Sequence, residues 1–164
     1  IVNETGSKEG EWKDYYPTGE LRGEGSYTNN LQTGRWTFYY KKGKKEQEGS
    51  FIRGLHDGLW TWYHENGNVW REETYFNNRE DGQSVEYDDQ GNIVTKGEYI
   101  NGEKEGEWFY KVNDHTEEGT YQTGLRSGIW KYYYEDGVLQ FEGNFEQGLP
   151  EGKHKYFYPD GVLR

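Results

Sequence analysis

The stretch Gly34-Arg35-Trp36-Thr37-Phe38-Tyr39-Tyr40-Lys41-Lys42-Gly43-Lys44-Lys45-Glu46-Gln47-Glu48-Gly49-Ser50-Phe51 decides the fold. Its first half is aromatic and β-prone, its middle is a Gly-containing turn, and its second half is another short strand-like run. This is the pattern of a β-hairpin. The hairpin recurs. Gly10, Gly34, Gly58, Gly82, Gly106, Gly128 and Gly152 stand 24 residues apart, except for one step of 22. Two residues after each comes Trp12, Trp36, Trp60, Ser84, Trp108, Trp130 or His154. Three further on come Tyr15, Tyr39, Tyr63, Tyr87, Lys111, Tyr133 and Phe157. Fixed self-similarity at such a period is the mark of a repeat protein.

Two kinds of turn alternate. Hairpin tips contain Gly19, Gly43, Gly67, Gly91, Gly137 and Gly161, and Asn66-Gly67, Asp136-Gly137 and Asp160-Gly161 suit backbone at positive φ. Connecting turns follow at Asn29-Asn30, Arg53-Gly54, Asn77-Asn78, Asn101-Gly102, Thr123-Gly124 and Gln147-Gly148. The two residues missing from the fifth repeat fall near Asn113-Asp114, at a hairpin tip, where deletion is tolerated. The expected fold is all-β: an elongated single-sheet meander, a solenoid of about seven 24-residue β-hairpin repeats, spanning roughly 65 Å at ~4.8 Å per strand. One continuous array is expected over residues 1–164. Both ends fall inside a repeat and there is no initiator Met, so a fragment of a longer chain is expected.

Composition agrees with strands and excludes much else. There is no Ala, Met or Cys, and there are 24 Gly among 164 residues, which excludes long helices, disulfides and thiolate metal sites. Leu, Ile, Val and Phe total only 27, so the core must draw on the 16 Tyr and 7 Trp. No apolar run approaches the ~20 residues of a membrane span. The net charge of −11 disfavours nucleic acid and anionic lipid.

Pairing Tyr16 with Leu21 places Trp12 opposite Gly25 and Gly10 opposite Tyr27. One face then carries Trp12, Tyr16, Leu21 and Tyr27, and in the sixth repeat Trp130, Tyr132, Tyr134, Leu139, Phe141 and Phe145. This is the expected core face, with the Gly opposite each Trp making room for the indole. The other face is charged, with Lys13, Arg22 and Glu24 around Tyr15. Its row of Tyr15, Tyr39, Tyr63, Tyr87 and Tyr133 is the candidate partner-binding surface. The fourth repeat, with Ser84, Glu86 and Asp88 at core positions, should have a weak core.

No constellation of chemistry stands out. His56, His64, His115 and His154 lie in different repeats without metal-ligand spacing. There is no G-x-S-x-G, no phosphate loop and no G-x-G-x-x-G. Asp88-Asp89-Gln90-Gly91-Asn92 reads as a turn, and it lacks the Glu of a calcium loop. The Lys41–Lys45 cluster is a basic tip, a solvated turn or a docking point for an acidic partner. No catalytic residue, cofactor or metal site is therefore expected, and the chain is not expected to be an enzyme.

The pattern Gly128-x-Trp130-x-x-Tyr133-Tyr134-x-x-Gly137, followed by Gly143-x-Phe145-x-x-Gly148-x-x-x-Gly152, resembles the MORN-repeat variant family of bacteria. So does Gly58 to Gly67, while Ser84, Lys111 and His154 depart from the motif. The resemblance implies an array of hairpins, often in envelope or secreted proteins, with some members serving as antitoxin components. The function expected is a non-catalytic protein–protein interaction scaffold in a bacterial cell-envelope assembly, in the periplasm or at the cell surface. A cytoplasmic location is the alternative. The partners expected are proteins in a larger complex, with no nucleic acid and no direct membrane insertion. A glycan-binding module using exposed aromatics, or an antitoxin-like neutraliser of a basic toxin, are the alternative functions.

Overall fold

A computed structural model describes Glu4 and residues 6–164. Thirteen strands follow in order: β1 (Gly10–Tyr15), β2 (Leu21–Thr28), β3 (Leu31–Tyr39), β4 (Lys45–Ile52), β5 (Leu55–Tyr63), β6 (Val69–Phe76), β7 (Arg79–Tyr87), β8 (Ile93–Ile100), β9 (Glu103–Val112), β10 (His115–Gln122), β11 (Leu125–Tyr134), β12 (Leu139–Glu146) and β13 (Leu149–Tyr156). They form one antiparallel sheet in sequence order, the all-β meander expected, with no helix among the described residues. The packing divides into two compact units. The first holds the described residues up to Asp81 with Tyr87–Asn92, and the second holds Gly82–Glu86 with Ile93–Arg164.

Mid-hairpin registers match the sequence reading. Gly10 faces Tyr27 and Trp12 faces Gly25; Gly34 faces Phe51 and Trp36 faces Gly49. Near the tips the register differs. Leu21 pairs with Tyr15, not Tyr16, because a bulge falls between Asp14 and Tyr15. Tyr16 instead begins the turn: its N–H donates to Glu20 O, and its own carbonyl accepts from Gly19 N–H. The same one-residue offset pairs Tyr39 with Lys45, Tyr63 with Val69 and Tyr133 with Leu139. In the fifth repeat the shortened tip is a two-residue Asn113-Asp114 turn, closed by the pair Val112–His115.

The core is a row of indoles. Trp36, Trp60, Trp108 and Trp130 are buried. Each lies over a glycine of the preceding strand: Gly25, Gly49, Gly97 and Gly119 respectively. A Cβ on those glycines would come within 2.1–2.3 Å of the indole ring. The glycine therefore makes room for the Trp of the next hairpin, not for the Trp it pairs with in its own hairpin. The indole N–H groups of Trp36, Trp60 and Trp130 donate to Ser26 O, Ser50 O and Thr120 O. Between indoles stand edge-on rings: Tyr27 is 5.1 Å from Trp36, Phe51 is 4.8 Å from Trp60 and Tyr121 is 5.2 Å from Trp130. Such edge-to-face pairs add to the burial energy of the rings.

The fourth repeat breaks the row in two places at once. Ser84 stands at the repeat position of Trp36, Trp60, Trp108 and Trp130, and Glu73 at the repeat position of Gly25, Gly49, Gly97 and Gly119. Both residues are buried. Glu73 accepts a hydrogen bond from Tyr75 Oη at 2.7 Å and lies 3.8 Å from Arg71 Nε. Arg71 in turn rests 4.3 Å over the Trp62 ring. Around Glu73 the first unit is polar where other repeats lay an indole over glycine, in line with the weak core expected.

Gly49→Val should be costly, because its side chain would occupy the volume of the Trp60 indole. Overpacking of this kind costs roughly 3 kcal/mol. The cost should appear as a lower urea midpoint with the slope unchanged. A midpoint equal to the parent's would show that the indole does not occupy that space.

Candidate functional site

The tyrosine row lies on the face opposite the indoles, and it is built into a lattice. Tyr39 Oη donates to Glu24 at 2.8 Å, Tyr63 Oη to Glu48 at 2.6 Å, Tyr87 Oη to Glu72 at 3.2 Å and Tyr133 Oη to Glu118 at 2.8 Å. In each case the acceptor lies 15 residues earlier, on the return strand of the preceding hairpin. Tyr15 is the exposed member, with 57% of its surface open. The row breaks at Lys111 and at Phe157. The position 15 residues before Lys111 is Lys96. Before Phe157 it is Glu142, which takes Lys155 at 2.8 Å instead.

Burial, and then the adjacent carboxylate, push the hydroxyls of Tyr39, Tyr63 and Tyr133 up to about 12. They remain neutral donors at any physiological pH. Burial alone would raise the Glu48 carboxyl. Hydrogen bonds from Tyr63, Arg35 and Lys45 outweigh it and hold the group at about 2. The next residue along makes a second ladder, in which Tyr16, Tyr40 and Tyr134 donate to the carbonyls of Tyr39, Tyr63 and Phe157. His64 takes the same place against Tyr87 O at 3.0 Å. Four of the five hydroxyls of the row are thus engaged.

A second feature of this face escaped the sequence reading. Side chains alternate between faces along a strand. Stepping by twos from Glu48 through Ser50 reaches Ile52, and from Tyr63 through Thr61 reaches Leu59. Leu55 pairs directly with Ile52 across the Arg53-Gly54 turn and shares its face. Ile52 and Leu59 are each 56% exposed. Leu55 is exposed beside the same turn, and Leu31 and Phe76 are exposed beside other connecting turns of the first unit. Ile100, Leu125, Ile129 and Leu149 are exposed at matching repeat positions of the second unit. An exposed apolar series rimmed by charge is a feature of interaction surfaces. Shallow grooves lie beside it: Glu11, Lys13, Glu24, Ser26, Arg35 and Thr37 line one in the first unit.

The histidines have packing roles. His56 lies 4.2 Å from the Trp60 ring, and its Nδ1 is 2.8 Å from Asn78 Oδ1. His154 stands in the Trp position, between Phe141 and Phe145. His115 sits between Asp114 and Glu117, at 3.1 and 3.2 Å. The Asp114 hydrogen bond, partly opposed by burial and reinforced by Glu117, raises its pKa above the ordinary histidine value. Among the described residues no group of three or more His, Asp or Glu side chains is placed to hold a metal ion.

The MORN repeat variant family matches residues 8–29, 32–53, 57–77, 80–101, 126–147 and 150–164. The chain belongs to this family. Residues 102–125, between the fourth and fifth matched segments, hold the shortened hairpin with Lys111 in the tyrosine row. No curated protein matched the chain. MORN repeats are generally associated with protein- or membrane-binding scaffolds, and the family is generally non-catalytic.

Tyr63→Phe leaves the buried Glu48 carboxylate short of a donor and should cost about 1–2 kcal/mol in urea unfolding at neutral pH. Glu48 is depressed in the folded state, so its stabilising contribution is full above the unfolded carboxyl pKa of ~4.3. It is lost as pH falls from there through about 2. The parent should therefore lose more stability between pH 6 and pH 2 than Tyr63→Phe does. Parallel acid-side curves for the two proteins would contradict this account.

Proposed function

We propose that this chain is a non-catalytic protein–protein interaction scaffold, a component of a bacterial cell-envelope assembly, that docks its partner on the tyrosine face. One observation carries the reading. Leu31 and Leu55 recur one repeat apart beside the Tyr39–Tyr63 rings, and Ile52 and Leu59 are each 56% exposed. A folded chain of net charge −11 gains nothing in solubility from them. A partner would bury that row, and the charged groups around it would set its orientation and on-rate. The tyrosine rings supply rigid contact area, since Glu24 and Glu48 already hold their hydroxyls.

The test is affinity capture from the native source. The parent chain would be compared with Leu55→Asp/Leu59→Asp and Tyr39→Ser/Tyr63→Ser, and co-purifying chains quantified by mass spectrometry. A stoichiometric protein partner should bind the parent and be lost, by tenfold or more, from the leucine variant. Loss only from the tyrosine variant would move the contact to the rings. Retention in both variants, or no partner at all, would overturn the reading.

A further inference from the structure

The basic tip between β3 and β4 forms a cleft that the scaffold reading does not use. Tyr16 and Tyr40, one repeat apart, form its walls, and Lys41, Lys42, Lys44 and Glu65 complete it around a cavity of about 330 Å³. Both tyrosine hydroxyls are already spent on the carbonyls of Tyr39 and Tyr63. The rings are thereby pinned, and they offer faces rather than donors.

The charge of this tip is opposite to that of the chain. The net charge is −11, and other hairpin tips carry Glu20, Glu65, Asp89, Asp114, Asp136 or Asp160. Only here do three lysines stand together in a tip. Lys44 Nζ is held on Asn66 O at 2.8 Å. Lys41 Nζ lies 5.7 Å from the Tyr16 ring, and the Arg22 guanidinium lies 5.9 Å from the same ring. Lys42 makes an exposed 3.5 Å pair with Glu65, of the weak kind that a ligand can replace. The fourth lysine, Lys45, is committed to Glu48. Glu20, near Lys41, is held by Thr18.

We propose that this cleft binds an acidic saccharide, a sugar ring bearing carboxylate or sulfate. The ring walls take the C–H face of a pyranose, as aromatic faces accept apolar surface at low entropic cost. The ammonium groups make charge-assisted hydrogen bonds to the anionic substituent. Glu65 accepts from sugar hydroxyls. The ring faces separate a sugar from an acidic peptide, whose carboxylate side chains offer no flat C–H face to lie against them. The cavity lies at the small end of ligand sites, ~300–1,000 Å³, which is sugar-sized. This inference stands independently of the protein-scaffold reading, because its residues are separate from Leu55 and Leu59.

Calorimetric titration of the whole chain tests it, with four probes: tetragalacturonate, a heparin-derived tetrasaccharide, maltotetraose and hexaglutamate. At least one acidic tetrasaccharide should bind at least tenfold more tightly than maltotetraose and hexaglutamate. A response to galacturonate alone names carboxylate as the recognised group, and a response to heparin alone names sulfate. Lys41→Gln/Lys44→Gln, with the parent's circular dichroism and melting curve, should lose at least tenfold in affinity. Tyr16→Phe keeps the ring and should keep binding within about threefold. The proposal fails if no acidic saccharide binds or if maltotetraose binds equally. It also fails if hexaglutamate binds as tightly as the sugars, which would make the tip an acidic-peptide site, or if the lysine variant is unchanged.

Discussion

An indole needs a flat place to lie, and in this protein the preceding strand provides it by having no side chain there. Trp36 over Gly25, Trp60 over Gly49, Trp108 over Gly97 and Trp130 over Gly119 are the same contact made four times. A single open sheet has no second layer to cover its apolar face. Large rings lying along the surface, interleaved with edge-on Tyr27, Phe51 and Tyr121, bury one another instead. This explains how a chain with few aliphatic residues folds at all. The contact also runs between hairpins rather than within one, so each repeat is stabilised by its neighbour.

The opposite face uses the same logic with polar atoms. Each buried tyrosine hydroxyl finds a glutamate one hairpin back, and each carboxylate gains a donor in return. Buried carboxylates are costly unless they are satisfied, and Glu48 is satisfied three times over, by Tyr63, Arg35 and Lys45. Both faces are thus coupled repeat to repeat. Lys111, in the tyrosine row, has Lys96 fifteen residues before it in place of the glutamate. The regular part of the molecule is internally committed. The side chains that the lattice does not consume are the apolar ones at the connecting turns and the lysine-rich tip.

The repeat period, the strand positions, the two kinds of turn and the location of the two-residue deletion were all legible in the sequence, because backbone geometry and β-periodicity are local. The mid-hairpin pairs Trp12–Gly25 and Trp36–Gly49 followed from symmetry about the turn. Away from the bulged tips, the faces followed from alternation. The family could be seen in Gly128 to Gly152 for the same reason. What the sequence did not disclose was the partner across the other edge of each strand. Gly25 touches two strands, and pairing arithmetic names the residue opposite it, Trp12. Only packing in three dimensions decides that the Trp36 indole covers it. The fifteen-residue Tyr–Glu spacing was present in the sequence, but a spacing becomes a hydrogen bond only once the bulge near each tip has aimed the tyrosine. The exposure of Leu59 and Ile52, and the cleft at Lys41, Lys42 and Lys44, belong to the tertiary structure alone. Whether a side chain is covered depends on how neighbouring strands twist and pack, and no local pattern in the chain encodes that.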